Sequence, residues 1–225
     1  MTQFPFQIEP MAEQALLLRW PDGNNPRQIR QLQLALSRCD WLSDVVAAST
    51  TLALIAAPNG APLMQQLQQW LADTDINTLP LPARRSHLLP VCYHASLAPD
   101  LDYVSQATGL TTAEVIRHHQ HSQFVVSSTG FSPGFAYLDG LNPALELPRR
   151  AEPRLQVDAG SVAIAAGYSA VYPQRSAAGW HLIGACPLPL LQLQLSPPCR
   201  LQLGDTVRFQ AISLSQFNHW DPQHD

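Results

Sequence analysis

Along the first third of the chain, stretches whose apolar residues are spaced as in β-strands alternate with stretches spaced as in helices. The stretches QALLLRW (14–20) and DVVAASTTLALIAA (44–57) are strand-like, and a polar turn splits the second in two. Behind Asn25-Pro26 and behind Pro62, apolar residues return every three or four positions, which predicts two helices, the first entered from a turn in PDGNNP (21–26). Their predicted buried faces are Ile29, Leu32 and Leu36 in the first helix and Leu63, Leu67, Trp70 and Leu71 in the second. The order ββαββα, followed by a strand at about 86–93, predicts a small α+β sandwich over residues 1–84, with helices on one face of an antiparallel sheet.

The pattern changes after the Pro-rich stretch LPLPARRS (79–86), which we interpret as a linker. Two short helices are predicted next: Asp100 caps DLDYVSQAT, Gly109 ends it, and a Thr111–Glu114 capping box begins TTAEVIRHHQ. Beyond His121 the chain consists of short β-like runs separated by Gly and Pro, which predicts a compact β-barrel or sandwich over residues 85–225. The runs are QFVVSS, RLQVDAGSVAIAA, YSAVYP, GWHLIGAC, PLLQLQL and DTVRFQAI.

All 13 basic residues are arginine, and the chain contains no lysine. This absence excludes a Walker A phosphate loop, a Schiff-base enzyme and a kinase-type lysine, so any anion bound by a charged side chain is bound by Arg or His. A net charge of −4 gives no electrostatic footprint for nucleic acid or for an anionic membrane. Charged residues make up 13% of the chain and hydrophobic ones 46%, which indicates a globular protein with an uncharged surface suited to a protein partner.

The cysteines and the first residues bear on redox state and location. Cys39, Cys92, Cys186 and Cys199 lie far apart with no C-x-x-C motif, so we expect reduced, mostly buried thiols and neither a zinc site nor a redox pair. The start MTQFPFQIEP has no basic region followed by an apolar run, and no stretch approaches the ~20 apolar residues that cross a bilayer. We therefore expect a cytoplasmic protein.

GFSPG (130–134) spells the G-x-S-x-G motif of serine hydrolases. That motif builds its oxyanion hole with the backbone N–H of the residue after the serine, and here this residue is Pro133, which has none. Pro133-Gly134 instead suits the central pair of a type II turn. We interpret the stretch as a packed turn joining strands, with the further possibility that it shapes a pocket at the mouth of the barrel.

The histidine-rich run Arg117-His118-His119-Gln120-His121 has ligand-like residues one helical turn apart, but H-E-x-x-H is absent. Catalytic zinc needs three protein ligands, so we favour a solvated helix end over a metal site.

LPRRAEPR (147–154) holds Arg149, Arg150 and Arg154 between prolines that stiffen the backbone. Stiffened arginines favour a clamp for carboxylate or phosphate, and the alternative is ordinary pairing with nearby Glu146, Glu152 or Asp158. In DAGSV (158–162), Gly160 and Ser161 stand where a strand begins and offer backbone N–H groups to an anion.

Taken together, these segments resemble the KipI family, which comprises the B subunits of bacterial ATP-dependent 5-oxoprolinase and is also called allophanate hydrolase subunit 1-like. The resemblance rests on GFSPGFAYLDGL, PRRAEPRLQVDAGSV, VYP, GWHLIG and LGDTVRF, in this order, and is dense from about residue 89 to 209. It aligns His119 with a family histidine. Similar sequence occurs in the carboxyltransferase part of urea carboxylase.

The resemblance implies an α+β N-terminal domain followed by a mainly-β cyclophilin-like barrel domain, in a subunit that works with a C subunit (allophanate hydrolase subunit 2-like) and an A subunit. The implied reaction opens 5-oxoproline to L-glutamate with hydrolysis of ATP, a substrate of the assembled complex; no metal is implied for this chain. The implied contacts to substrate or phosphate are Arg149, Arg154, Ser161 and His119. The implied pocket-shaping residues are Phe131, Pro133, Gly134, Phe135, Tyr137, Tyr172 and Trp180.

Several positions depart from the family pattern, chiefly where glycines or hydrogen-bond donors are replaced. Lost glycines close off the backbone and lost side chains remove donors. Two alternatives therefore stay open: a regulatory binding protein that inhibits a histidine kinase, and a subunit of a related amidohydrolase or carboxyltransferase with another substrate. The departing positions are Asp158, Ala163, Ala166, Tyr168, Ser169, Ala170, Ala178 and Ala185.

Overall fold

A computed structural model of the chain describes residues 4–21, 25–58 and 60–221. The chain divides into two compact units, Met1–Arg84 and Arg85–Asp225. That these units are separate domains stays a prediction.

The first unit combines a four-stranded antiparallel sheet with two helices. Its elements are β1 (Gln7–Ala12), β2 (Ala15–Arg19), α1 (Pro26–Leu36), β3 (Leu42–Ala47), β4 (Thr51–Ala56) and α2 (Leu63–Asp73). The strand order is β1-β2-β4-β3. Leu16 and Leu18 of β2 lie opposite Leu54 and Leu52 of β4, and all four are buried, whereas the alternate residues between them are half-buried. One face of the sheet therefore carries the core, and the two helices cover it.

Local signals place the helices of this unit where the sequence predicts them. The side chain of Asn25 accepts a hydrogen bond from the N–H of Gln28 (3.2 Å), and Pro26 occupies the first position of α1. The predicted apolar faces are buried except for Trp70, which is half-buried. Residues 22–24 of the predicted PDGNNP turn lie outside the described residues.

The second unit contains one large sheet, one small sheet and short helices. The large sheet has the order β12-β9-β10-β7-β6-β13-β5, and β8 and β11 form a separate two-stranded ribbon. The elements are β5 (Ser86–Val91), α3 (Leu101–Thr108), α4 (Thr112–His121), β6 (Phe124–Thr129), β7 (Ala136–Asp139), a single 3-10 turn (Pro143–Leu145), β8 (Arg154–Val157), β9 (Ser161–Ala165), β10 (Tyr168–Val171), β11 (Ser176–Ala178), β12 (His181–Ala185), β13 (Thr206–Ala211) and α5 (Leu214–Asn218).

The large sheet curls until its two edge strands meet. Cys92, which follows β5, and Ala185, at the end of β12, exchange two backbone hydrogen bonds of 2.8 and 3.0 Å. The sheet is thus a nearly closed barrel. All seven strands contribute to one buried cluster in its interior, for example through Leu89, Ile164 and Phe209.

A second buried cluster lies on the outer face of this barrel. Along β9, Ile164 belongs to the interior cluster and its neighbour Ala163 to the outer one, because successive side chains of a strand point to opposite faces. The outer cluster also contains Phe135, Tyr172 and Trp180.

Two strand predictions are corrected. The strand at 86–91 does not extend the first sheet but pairs in parallel with β13 of the second unit. The run PLLQLQL (189–195) is not a strand: only Leu191 forms an isolated bridge, with Cys199. Four prolines lie in or beside this run and have no N–H to donate to a ladder: Pro187, Pro189, Pro197 and Pro198.

Candidate functional site

The GFSPG stretch is a turn between β6 and β7. The N–H of Phe135 donates to the carbonyl of Ser132 (3.0 Å), and Gly134 has a φ of 80°, as expected for the predicted type II turn. A Cβ at Gly134 would lie 3.0 Å from Cβ of Leu191, so space as well as φ requires glycine. The hydroxyl of Ser132 is buried with no hydrogen-bond partner among the described residues. A serine without a base is not activated, which agrees with the exclusion of a nucleophile elbow.

This turn carries one wall of a cavity on the outer face of the barrel, rather than at its mouth. Phe131 has a φ of 69° and is 62% exposed, and its ring lies edge-on to Phe135 with centroids 5.2 Å apart. Phe135 in turn lies edge-on to Tyr137, Tyr172 and Trp180, at 5.0, 5.3 and 6.0 Å. Such edge-to-face contacts hold rings in fixed orientations.

The cavity has a volume of about 250 Å³. The aromatic residues proposed as pocket-shaping all line it, whereas Pro133 and Gly134 do not and instead form the turn that presents Phe131 and Phe135. Among the described residues that line it, none is acidic. The lining residues are Phe131, Phe135, Tyr137, Arg149, Arg150, Pro153, Tyr172, Ala177, Ala178, Gly179 and Trp180.

Arg149 is the arginine available to a ligand in this cavity. It is exposed, and within the described residues it has neither a hydrogen bond nor an ion pair. Burial raises the pKa of Tyr172 to about 12, the neighbouring Tyr137 adds to the rise, and the positive charge of Arg149 opposes it. The cavity therefore combines an unpaired cation with phenol groups, one of which stays a neutral donor at physiological pH, an arrangement suited to a small anion.

The other two arginines of the segment bind Asp100 instead. Arg150 Nη1 lies 2.9 Å from Asp100 Oδ1, and Arg154 places Nη1 and Nη2 at 2.8 and 2.7 Å from the two carboxylate oxygens. Burial alone would raise the pKa of Asp100, but the bonds from Arg154 and Leu182 and the two arginine charges together lower it. Arg150 and Arg154 thus form ordinary ion pairs, but with Asp100 and not with an acidic residue close to them in the sequence. Arg154 does not line the cavity.

His119 lies in the barrel interior and not in the cavity. It is fully buried, stacks on Phe209 at 4.4 Å, and has a hydrogen-bond partner on each ring nitrogen. Tyr93 Oη lies 2.7 Å from Nδ1 and Ser169 Oγ 2.9 Å from Nε2, and the Ser169 hydroxyl also reaches the carbonyl of Ala163 (3.2 Å). If Ser169 donates to that carbonyl, Nε2–H donates to Ser169 and Tyr93 donates to Nδ1. The helix end that the sequence predicts as solvated is therefore buried at this residue, because α4 packs on the barrel.

Ser161 also lies away from the cavity lining. The N–H of Ser161 donates to the carbonyl of Asp158 (3.2 Å), and that of Gly160 donates to the carbonyl of Tyr172 (2.7 Å), so neither is open to an anion. Gly160 has a φ of 86°, and a Cβ there would collide with the carbonyl oxygen of Cys186. The glycine serves close packing of the backbone, not ligand binding.

Neither a metal-binding cluster nor a membrane-spanning helix is found in the part of the chain that the structure describes. No three His, Cys, Asp or Glu side chains there are grouped so as to hold a metal ion. No helix among the same residues has the length and apolar character needed to cross a bilayer.

Residues 6–201 match the family model described as carboxyltransferase domain, subdomain C and D. The chain belongs to this family. The 5-oxoprolinase B subunit of Bacillus subtilis (strain 168) is 38% identical over 154 residues, which cover 68% of this chain and 62% of that protein. The 5-oxoprolinase B subunit of Haemophilus influenzae is 32% identical over 208 residues, 90% of this chain and 96% of that protein. These matches confirm the resemblance drawn from the motifs, and the chain spans just under two thirds of the Bacillus relative.

Two solved structures contain the same fold inside longer chains. A crystal structure of the protein TTHA0988 superposes with a TM-score of 0.77 at 31% identity, covering 88% of this chain and 40% of that one. The urea carboxylase of Kluyveromyces lactis superposes with a TM-score of 0.69 at 13% identity, covering 96% of this chain and 24% of that one. The second likeness shows the fold alone.

The positions that depart from the family pattern have different structural consequences. Ser169 keeps the hydroxyl that binds His119. Ala178 lines the cavity, and Tyr168 packs edge-on against Tyr137 at 6.1 Å. Asp158 forms an exposed ion pair with Arg175 (3.0 Å). Ala163 and Ala170 are buried in the outer cluster, Ala166 has a φ of 49°, and Ala185 belongs to the bridge that closes the barrel.

Asp100 is the site-related residue whose role the sequence does not reveal. It stands at the N-cap of α3 as predicted, but its side chain makes no capping bond and accepts from the arginines instead. Its partners lie 50 and 54 residues away, so no local pattern could reveal them.

Proposed function

We propose that this chain is the B subunit of an ATP-dependent 5-oxoprolinase, acting in the cytoplasm with a C subunit and an A subunit. Relatives named as B subunits of 5-oxoprolinase support the assignment to such an enzyme complex. In this proposal residues 1–84 are an α+β domain and residues 85–225 a cyclophilin-like barrel domain.

The observation that carries the proposal is Arg149 in its aromatic cavity. The substrate 5-oxoproline is a small ring with one carboxylate. A guanidinium binds a carboxylate through two parallel hydrogen bonds, and Arg149 has no other partner among the described residues. The rings of Phe135, Tyr172 and Trp180 give the substrate ring an apolar wall, since all three line the same cavity.

The chemistry requires activation of an unreactive amide. Transfer of the γ-phosphoryl group of ATP to the lactam oxygen makes that oxygen part of a leaving group. Water then adds to the lactam carbonyl carbon, and the ring C–N bond breaks, with a proton going to the nitrogen. A second water releases phosphate and leaves L-glutamate. Arg149 orients the carboxylate, and Tyr172, whose pKa is raised to about 12, remains a neutral donor throughout.

The test is reconstitution of the complex. The chain is purified together with its C-subunit and A-subunit homologues, and ATP hydrolysis is measured with and without 5-oxoproline. We expect hydrolysis to depend on both the lactam and the complete set of subunits. If the complex forms but hydrolyses ATP only when another amide is present, that amide is the substrate in place of 5-oxoproline. If no complex forms and the chain instead binds a histidine kinase, the regulatory alternative is correct.

A further inference from the structure

Asp100 is an unusual helix N-cap, because its side chain is diverted from its own helix. An Asp at this position ordinarily accepts a backbone N–H of the first turn, a contact worth about 1 kcal/mol. Here the carboxylate makes no such bond, and the Asp100 side chain is 5% exposed. It accepts three bonds from Arg150 and Arg154 and a fourth from the N–H of Leu182 (2.7 Å). Its carboxylate therefore links the start of α3 to β12 and to residues 147–154, which we call the arginine segment.

The arginine segment is fixed on both sides of Arg149. His181 Nε2 lies 2.9 Å from the carbonyl of Pro148 and donates to it, and the N–H of Arg150 donates to the carbonyl of Gly179 (2.8 Å). These two anchors hold the backbone immediately before and after Arg149. Asp100 adds the third anchor, through the side chain of Arg150.

Charge makes the third anchor different from the other two. Three arginines within six residues repel one another, and Arg150 lines the same cavity as Arg149. The buried carboxylate of Asp100 attracts Arg150 and Arg154 toward the barrel and offsets one of their charges. Without it, the guanidinium of Arg150 would be free to turn into the cavity and compete for an anion.

We infer that Asp100 is a positioning residue for Arg149: by binding the guanidinium groups of Arg150 and Arg154 it keeps them from the ligand and fixes the segment, so that of the two arginines that line the cavity Arg149 is the one whose guanidinium can bind an anion. The effect on substrate rests on the proposed function. The placement of the three guanidinium groups does not depend on that function.

The matched variants are Asp100→Asn and Asp205→Asn in the complete complex. Asp205 is also a buried aspartate in ion pairs, with Arg85 and His87, but neither of these partners lines the aromatic cavity. We expect Asp100→Asn to raise KM for 5-oxoproline about tenfold, the equivalent of one charge-assisted hydrogen bond, with KM for ATP unchanged. Asp205→Asn should cost similar thermal stability and leave both KM values unchanged. Equal KM values for 5-oxoproline in the two variants would overturn the inference.

Labelling with phenylglyoxal, an arginine reagent, separates this inference from the proposed function. In the wild-type chain, mass spectrometry should find Arg149 labelled before Arg150 and Arg154, and Asp100→Asn should expose the latter two. Equal labelling of all three in the wild type would refute the placement, even if Asp100→Asn does not fold. A wild-type complex without lactam-dependent ATPase but with selective labelling of Arg149 would remove the proposed function and leave the positioning intact.

Discussion

Arg154 forms a two-pronged ion pair with Asp100, with N–O distances of 2.8 and 2.7 Å. The side chain of Asp100 is 5% exposed and that of Arg154 25%, so the pair belongs to the framework of the second unit. Arg149, five residues earlier, has no such partner among the described residues. Two arginines to which the sequence assigns the same role therefore differ in the structure: Arg154 binds a buried carboxylate, whereas Arg149 lines the aromatic cavity.

Arg149→Ala should abolish the 5-oxoproline-dependent activity of the complex and leave the fold intact. The side chain is exposed and makes no bond within the described residues, so its loss costs little stability. Steady-state kinetics and thermal melting check the two parts. Arg175→Ala, which breaks an exposed pair with Asp158, is the matched control and should change neither. Full turnover in Arg149→Ala would remove this residue from the site.

Arg154→Ala should instead act on stability. It removes two charge-assisted bonds from a buried carboxylate that keeps Arg150 as its other side-chain partner, which lowers the free energy of unfolding by about 2 kcal/mol. Urea denaturation measures this loss. An unchanged unfolding midpoint would show that Asp100 is satisfied without Arg154.

Ala166→Gly should stabilise the protein. Ala166 and Gly167 form the two-residue turn between β9 and β10, and both have positive φ, 49° and 79°. A left-handed conformation strains alanine and not glycine, so we expect a gain of about 0.5–1 kcal/mol after the larger unfolded-state entropy of glycine is included. Urea denaturation tests it, with Gly167→Ala as the opposite control, which should destabilise. A loss of stability in Ala166→Gly would contradict the assigned turn.

His119 should make the stability depend on pH. Burial lowers its pKa from 6.5 to about 3, so the folded protein keeps it neutral while the unfolded chain takes up a proton below pH 6.5. The unfolded state then binds more protons, and stability falls as the pH falls from 6.5 toward 3, by at most about 1.4 kcal/mol per pH unit from this group. Above pH 6.5 the contribution is complete and constant.

The variant His119→Gln isolates this effect. It should be less stable at neutral pH, because Tyr93 and Ser169 lose their fitted partner, but its stability should fall less steeply below pH 6.5. Unfolding free energies on both sides of pH 6.5 provide the slopes. Identical slopes in variant and wild type would mean that His119 does not titrate in this way.

Local chemistry explains what the sequence could predict. Asn25-Pro26, the Thr111–Glu114 box and Pro133-Gly134 each act within four residues, and each produces the expected helix start or turn. The apolar face of α1 follows from its periodicity in the same way.

Long-range contacts explain what the sequence could not. In the sequence His119 stands in a run of histidines at a helix end, but its partner Ser169 is 50 residues away, in a barrel strand. The role of Asp100 is hidden for the same reason. The arginines of one segment look alike in the sequence, and only the position of a distant carboxylate separates Arg149 from Arg150 and Arg154.

The bridge between Cys92 and Ala185 and the pairing of β5 with β13 have a consequence for biosynthesis. β5 is the first strand of the barrel, and its full-length neighbour β13 is the last, with paired residues about 120 positions apart. Such non-local pairing slows folding, because a long loop must close before the contacts form. A nascent chain therefore keeps one long edge of β5 open to other strands until Thr206–Ala211 has left the ribosome.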